Sequence, residues 1–185
     1  MNDLTDAVQQ ALKDNNYFSA MFIALSLPDI CGSLETPKEK NGIRAKRWFK
    51  ENLGPKYMPS NRYEALLNFR PDGIATLPPG EADNLKKEPA TVKLTPEMYW
   101  SLRNAFLHEA SDKHKTAKFH ITHSRTPMMM INGALQLSSI GFCQDMCDAV
   151  KRWVVKMNTN ALVTKRINER AKITNHINNG MYVIL

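Results

Sequence analysis

Leu4, Ala7, Val8, Ala11 and Leu12 recur at i, i+3, i+4, i+7 and i+8, one apolar stripe of an amphipathic helix. Asn15-Asn16 interrupts it. The next stretch, Tyr17 to Ile30, is apolar nearly all round and predicts a helix shielded on several sides, with Gly32 as its stop. Thr36-Pro37 reads as N-cap and first helical position of a helix running to about Leu53. That helix hides Ile43, Trp48, Phe49 and Leu53, and Gly54-Pro55 ends it. A short helix over 61–69 is predicted next, with Tyr63, Leu66 and Leu67 inward.

Residues 71–94 lose the periodicity. Pro71, Pro78, Pro79, Gly80 and Pro89 predict an irregular loop that covers something or is poorly ordered. Thr95-Pro96-Glu97 restarts a helix to about Glu109, with Met98, Leu102, Ala105, Phe106 and, less cleanly, Leu107 buried. Phe119, Ile121 and His123 alternate with polar neighbours, which predicts a short strand. Met128 to Ile131 and Ala134 to Leu137 flank Asn132-Gly133, a strong hairpin signal. A small antiparallel sheet among helices is expected. Ser138 or Ser139 caps a long helix through Phe142, Met146, Ala149, Val150, Trp153, Val154 and Met157. A basic helix over about 160–176 follows, then an apolar tail over 181–185.

The length of 185 residues predicts a single domain, and the composition is that of an ordinary soluble protein. The net charge of +7 admits a polyanionic partner. Much of that charge lies on one helix, at Lys38, Lys40, Arg44, Lys46, Arg47 and Lys50, either a solvated exterior or a surface that tracks phosphates. Three cysteines do not make a disulfide framework. Cys143 and Cys147 share a helix face and are expected as buried free thiols. The apolar run Tyr17 to Leu27 is too short for a membrane span, and the acidic residues before it do not suit a signal peptide. A reduced, cytoplasmic protein with no membrane partner is expected.

P-loop, dinucleotide-fold, zincin and hydrolase-elbow motifs are missing from the sequence. His120 and His123 fall on opposite faces of a strand, so no shared metal is expected. His123 beside Arg125 is within reach of an anionic substrate. Trp48, Trp100 and Trp153 are expected in the core, with base stacking by Tyr99 or Trp100 as the alternative. Met128-Met129-Met130 reads as hairpin core or dimer patch.

The segment Tyr99-Trp100-Ser101-Leu102-Arg103-Asn104-Ala105-Phe106-Leu107-His108-Glu109 places Arg, Asn and His in an otherwise apolar helix. Such groups inside a bundle are costly unless paired or lining a site. Asn104 and His108 share a face at i and i+4. Arg103 and His108 are about 140° apart around a straight helix. Their tips meet only through the long Arg arm, a loosened last turn or a two-fold interface. Glu109 is a candidate ion-pair partner nearby.

Arg103-Asn104-x-x-x-His108 resembles the R-x(4–6)-H motif of the HEPN superfamily, in which a polar residue often follows the Arg. The string is similar to the form found in small stand-alone bacterial HEPN proteins of mobile elements and defence loci. A second match, Arg170 to His176, lies in a polar basic segment and reads as surface.

The resemblance implies a mainly α HEPN-like bundle with a small antiparallel β-hairpin insertion. It implies a homodimer with both motifs on one cleft, acting as a metal-independent endoribonuclease, either a toxin or a defence effector. RNA would be cut by 2′-hydroxyl attack, leaving a 2′,3′-cyclic phosphate. His108 would move the proton, Arg103 would hold the phosphate and Asn104 would orient His108. Arg44, Lys46, Arg47, Lys50, His123 and Arg125 would bind RNA, with no cofactor, and a protein or nucleotidyltransferase antitoxin would neutralise a toxin. The alternative is a non-catalytic HEPN module that binds nucleic acid or a protein partner. A helical interaction domain outside the family would leave Arg103 and His108 far apart and solvated.

Overall fold

The apolar stretch after Asn16 becomes the central helix of a mainly helical fold. The computed structural model describes residues 1–109, 113–114, 117–124 and 128–169. Helix α1 (Asn2–Lys13) ends in a left-handed Asn15, φ +56°. Asn16 then caps α2 (Tyr17–Glu35), its side-chain oxygen accepting from Ser19 N–H at 3.1 Å. Gly32 does not stop α2. Its missing side chain instead lets α3 (Asn41–Asn52) approach, where a Cβ would lie 3.0 Å from the Arg44 carbonyl oxygen.

Helix α3 starts four residues later than the Thr36-Pro37 pair predicts. The Thr36 hydroxyl is engaged elsewhere, donating to Glu39 at 2.8 Å and accepting from Arg47 at 2.8 Å. Trp48, Phe49 and Leu53 are buried as predicted, but Ile43 is 53% exposed. Helix α3 ends just before Gly54-Pro55 as predicted, and the chain then makes the one-turn helix α4 (Gly54–Tyr57). Asn61 caps α5 (Arg62–Phe69) by accepting from Glu64 N–H at 2.8 Å, and Leu67 on that helix points outward.

The stretch 71–94 is less irregular than its prolines suggest. It holds a 3-10 turn at Pro71–Gly73 and a short helix, α6 (Glu81–Lys87), which buries Leu85 against α5. Two turns of mostly polar helix carry no apolar period, which is why the pattern is silent there.

Helix α7 (Pro96–Glu109) leads to β1 (Lys113–His114), β2 (Ala117–Thr122), β3 (Met129–Ile131) and β4 (Ala134–Ser138). Asn132 and Gly133 both take positive φ, 50° and 74°, the two-residue turn the sequence predicts. The sheet order is β1-β2-β4-β3, and β2 pairs with β4 in parallel, so the sheet is mixed rather than antiparallel. The hairpin is turned so that its apolar strand lies inside: β4 is buried at every position, while Met129 and Met130 of β3 are largely exposed at the edge. Ser138 ends β4 and caps α8 (Ser139–Met157), accepting from Gly141 N–H at 3.0 Å. Helix α9 (Ala161–Glu169) returns to α2, where Arg166 donates to the Leu34 carbonyl at 2.9 Å. The apolar tail over 181–185 and the Arg170–His176 match lie outside the described residues.

Helices α1, α3, α7, α8 and α9 all pack on α2. The core is aromatic: Phe49 stacks on Tyr99 at 4.5 Å, Trp48 meets Trp153 edge-on, and Tyr57 meets Phe142 edge-on. Cys31, Cys143 and Cys147 are buried free thiols. Helix α2 is longer than its most apolar run and, by length and composition, long enough to cross a membrane, yet half of it is buried inside the protein. Its two carboxylates, Asp29 and Glu35, pair with Arg44 and Arg47 of α3. Those are the features of a core helix.

Candidate functional site

Helix α7 sets the site. Thr95 caps it, its hydroxyl oxygen accepting from Met98 N–H at 3.2 Å. Tyr99, Leu102, Ala105 and Phe106 face the core, and the Tyr99 hydroxyl donates to the Leu25 carbonyl at 2.8 Å. Burial pushes that phenol's pKa well up and keeps it protonated. Tyr99 is therefore a core residue, with no face for a base.

The opposite side of α7 carries Trp100, Arg103, Asn104 and His108. Arg103 Nη1 lies 3.1 Å from His108 Nε2 and donates to Asn104 Oδ1 at 3.1 Å. The long Arg arm closes the 140° gap within one chain, and α7 remains helical through Glu109. A guanidinium only donates. His108 Nε2 is therefore the acceptor in this contact.

The guanidinium lies over the Trp100 ring, 4.9 Å from its centroid, and Trp100 in turn rests against Gly42 of α3, where a Cβ would be 3.2 Å from the indole. Trp100 is thus half-buried and a platform for Arg103, not a core residue. The i, i+3 spacing of Trp100 and Arg103 is the signal that would have given this. Arg103 Nε is buried without a hydrogen-bond partner among the described residues. Glu109 is exposed and forms no ion pair among them.

The basic residues of α3 divide into two kinds. Arg44 is held by Asp29 at 2.7 Å and the Glu39 carbonyl at 3.1 Å. Arg47 is held by Glu35 at 2.9 Å and Glu39 at 3.1 Å. The Thr36 hydroxyl and the Arg47 guanidinium hold the Glu39 carboxyl below its usual range. Burial works against the Arg47 charge, but its two carboxylates outweigh this and raise its pKa. Both arginines fasten α3 to α2.

Lys46 is 3.6 Å from Glu97, and Lys50 has no ion pair among the described residues. These two lysines, with Ile43, Met58 and Pro96, line a groove of about 510 Å³ along the start of α7. Glu97 to Arg103 is six residues, about 9 Å of helix rise.

His123 sits apart from that pair. Its ring stacks on Tyr17 at 4.2 Å, and its Nδ1 is 3.2 Å from Ser139 Oγ. Arg125 lies outside the described residues. Among those residues no group of three His, Cys, Asp or Glu side chains is placed to hold a metal ion.

Compared with protein-family models, curated proteins and solved structures, the chain matches none.

Proposed function

We propose that this chain is a HEPN-type, metal-independent endoribonuclease. The observation that carries the proposal is the 3.1 Å contact between Arg103 Nη1 and His108 Nε2, with Asn104 on the same guanidinium. The two residue types the motif requires share one point on a half-exposed helix face inside a mainly helical fold.

The chemistry follows from the donors. A scissile phosphate arriving at the pair takes the guanidinium's N–H groups, which bind two phosphate oxygens side by side. That releases the Nε2 lone pair to accept the proton of the ribose 2′-hydroxyl. The 2′-oxygen attacks phosphorus, the bond to the 5′-oxygen breaks, and that leaving oxygen receives a proton back from His108, so the products are a 2′,3′-cyclic phosphate and a 5′-hydroxyl. Arg103, braced by Trp100, stabilises the charge on the pentavalent phosphorus. Lys46 and Lys50 hold the incoming backbone. A homodimer, a toxin or defence role, a protein or nucleotidyltransferase antitoxin and a cytoplasmic site of action complete the proposal.

The test is cleavage of an end-labelled RNA in EDTA by wild type, Arg103→Ala and His108→Ala, each shown folded by circular dichroism. Cleavage by wild type alone, with cyclic-phosphate ends, is the expected result. Equal cleavage by all three would sink the assignment. Salt-dependent RNA binding without cleavage would favour the non-catalytic module.

A further inference from the structure

On another flank of α7, a cavity of about 440 Å³ opens between the α1–α2 junction, Phe106 and β2. Its size falls within the range of small-molecule sites. Two stacked aromatic pairs line it: Phe18 on Phe106 at 4.8 Å, and Tyr17 on His123 at 4.2 Å. Phe18 is 51% exposed, so part of its ring is open to solvent beside the buried Phe106.

Polar groups accompany the rings. Asn15 and Asn16 line the cavity, and their side-chain oxygens are committed, to the Tyr17 hydroxyl at 2.7 Å and Ser19 N–H at 3.1 Å. Their amide N–H groups are left as donors. The Ser139 hydroxyl donates to the Thr122 carbonyl at 3.0 Å, so His123 Nδ1 donates to Ser139 Oγ. His123 Nε2 has no protein partner among the described residues and is left to hydrogen-bond a ligand. Flat apolar faces with both donors and acceptors at their edge match a nucleobase, whose faces stack and whose rim carries both kinds of group. A fatty chain would use the rings but not the amides.

We infer that this cavity is a nucleobase-binding subsite, holding an unpaired base of single-stranded RNA whose backbone passes the Arg103–His108 pair. The naming of RNA rests on the ribonuclease proposal; the base-stacking chemistry rests on the cavity alone. Phe106 and His108 are two residues apart on one helix, so the two sites are separated by about the diameter of α7, roughly 10–12 Å. That is the scale of one or two nucleotides. Such a subsite would select unpaired over duplex RNA, because a paired base has no free face to offer.

The probe is a 2′-O-methyl RNA hexanucleotide carrying one 2-aminopurine, which binds but lacks the nucleophile. Stacking on Phe18 quenches its fluorescence. Wild type is expected to quench it saturably, and Phe18→Ala to weaken binding about 5- to 100-fold, the usual loss for one stacked base. Phe18→Trp restores it, and His123→Ala weakens it less. Arg103→Ala weakens binding of the strand but leaves a Phe18-dependent quench at saturation.

Unchanged binding in Phe18→Ala, with the variant folded, overturns the subsite, even if cleavage is intact. Phe18-dependent quenching with no cleavage by wild type keeps the subsite and removes the nuclease. Equal quenching by a duplex carrying the same base also overturns the subsite.

Discussion

Gly32 and Arg44 meet backbone to side-chain position: a methyl on Gly32 would sit 3.0 Å from the Arg44 carbonyl oxygen and 3.2 Å from its carbonyl carbon and Cβ. Backbone does not yield as a flexible side chain does. Gly32→Ala gains about 1 kcal/mol of helix propensity, but overpacking costs about 1–3 kcal/mol. A net loss near 1 kcal/mol is expected, and a larger one for Gly32→Val. Urea unfolding measures both; a Gly32→Ala variant more stable than wild type would refute the close approach.

The same junction contains a pH dependence. Glu39's pKa is lowered in the folded chain by Thr36 and Arg47. A depressed folded value means that the stabilisation is complete above the unfolded carboxylate range. It is lost as pH falls through the lower folded value. Thermal unfolding of wild type and Glu39→Gln should therefore differ at pH 7 and converge in acid. A gap that widened on acidification would contradict the assigned hydrogen bonds.

At the candidate site, geometry matters more than charge. Arg103→Lys keeps the cation and loses the planar fork, so it should cut RNA nearly as poorly as Arg103→Ala. His108→Ala should lose about 10²- to 10⁴-fold in rate. Initial rates on one RNA decide this, and a fully active Arg103→Lys would rule out bidentate phosphate holding.

The α3 cations should separate by assay. Lys46→Ala and Lys50→Ala should weaken RNA binding and flatten its salt dependence by about one unit of slope or a little less each. Arg44→Ala should chiefly lower stability, because Arg44 is fastened to Asp29 and the Glu39 carbonyl. Filter binding across a salt series, beside melting curves, separates the two behaviours.

Thiol chemistry reports on the core. Burial pushes Cys147 up to about 11, raises Cys143 further and lifts Cys31 well above the usual thiol range. At pH 8 only about one Cys147 in a thousand would be a thiolate. An aromatic disulfide reagent should leave all three thiols unmodified in native protein and titrate three after denaturation. Rapid native labelling would mean that the α1–α8 seam opens readily.

The helices that bury a stripe were legible: α1 announces itself by spacing, and α7 and α8 by spacing and caps. What the sequence hid were dual-use residues. Gly32 signals a stop but serves as a packing surface. Thr36 signals a cap but is bound to Glu39 and Arg47. Ile43 fits the buried period of α3, yet lies where no neighbour covers it. The parallel pairing of β2 with β4 was hidden because a hairpin signal fixes which strands join, not which of them faces inward. Arg103 and His108 were legible as a pair, whereas Trp100 was read as core because a Trp in an apolar helix usually is. The base-sized cavity draws on residues scattered from Asn15 to Ser139, and no local pattern holds them together.

The order of synthesis gives one last consequence to the packing of α2. That helix is made well before α8, which packs on it, and α9, whose Arg166 donates to the Leu34 carbonyl; both are made more than a hundred residues later. At ordinary elongation rates the delay is on the order of ten seconds. Throughout it, the most apolar helix of the chain lacks the part of its cover that α8 and α9 supply. The nascent chain is therefore a natural client for chaperones that hold apolar helices, and slowing translation between α3 and α8 should increase the fraction lost to aggregation.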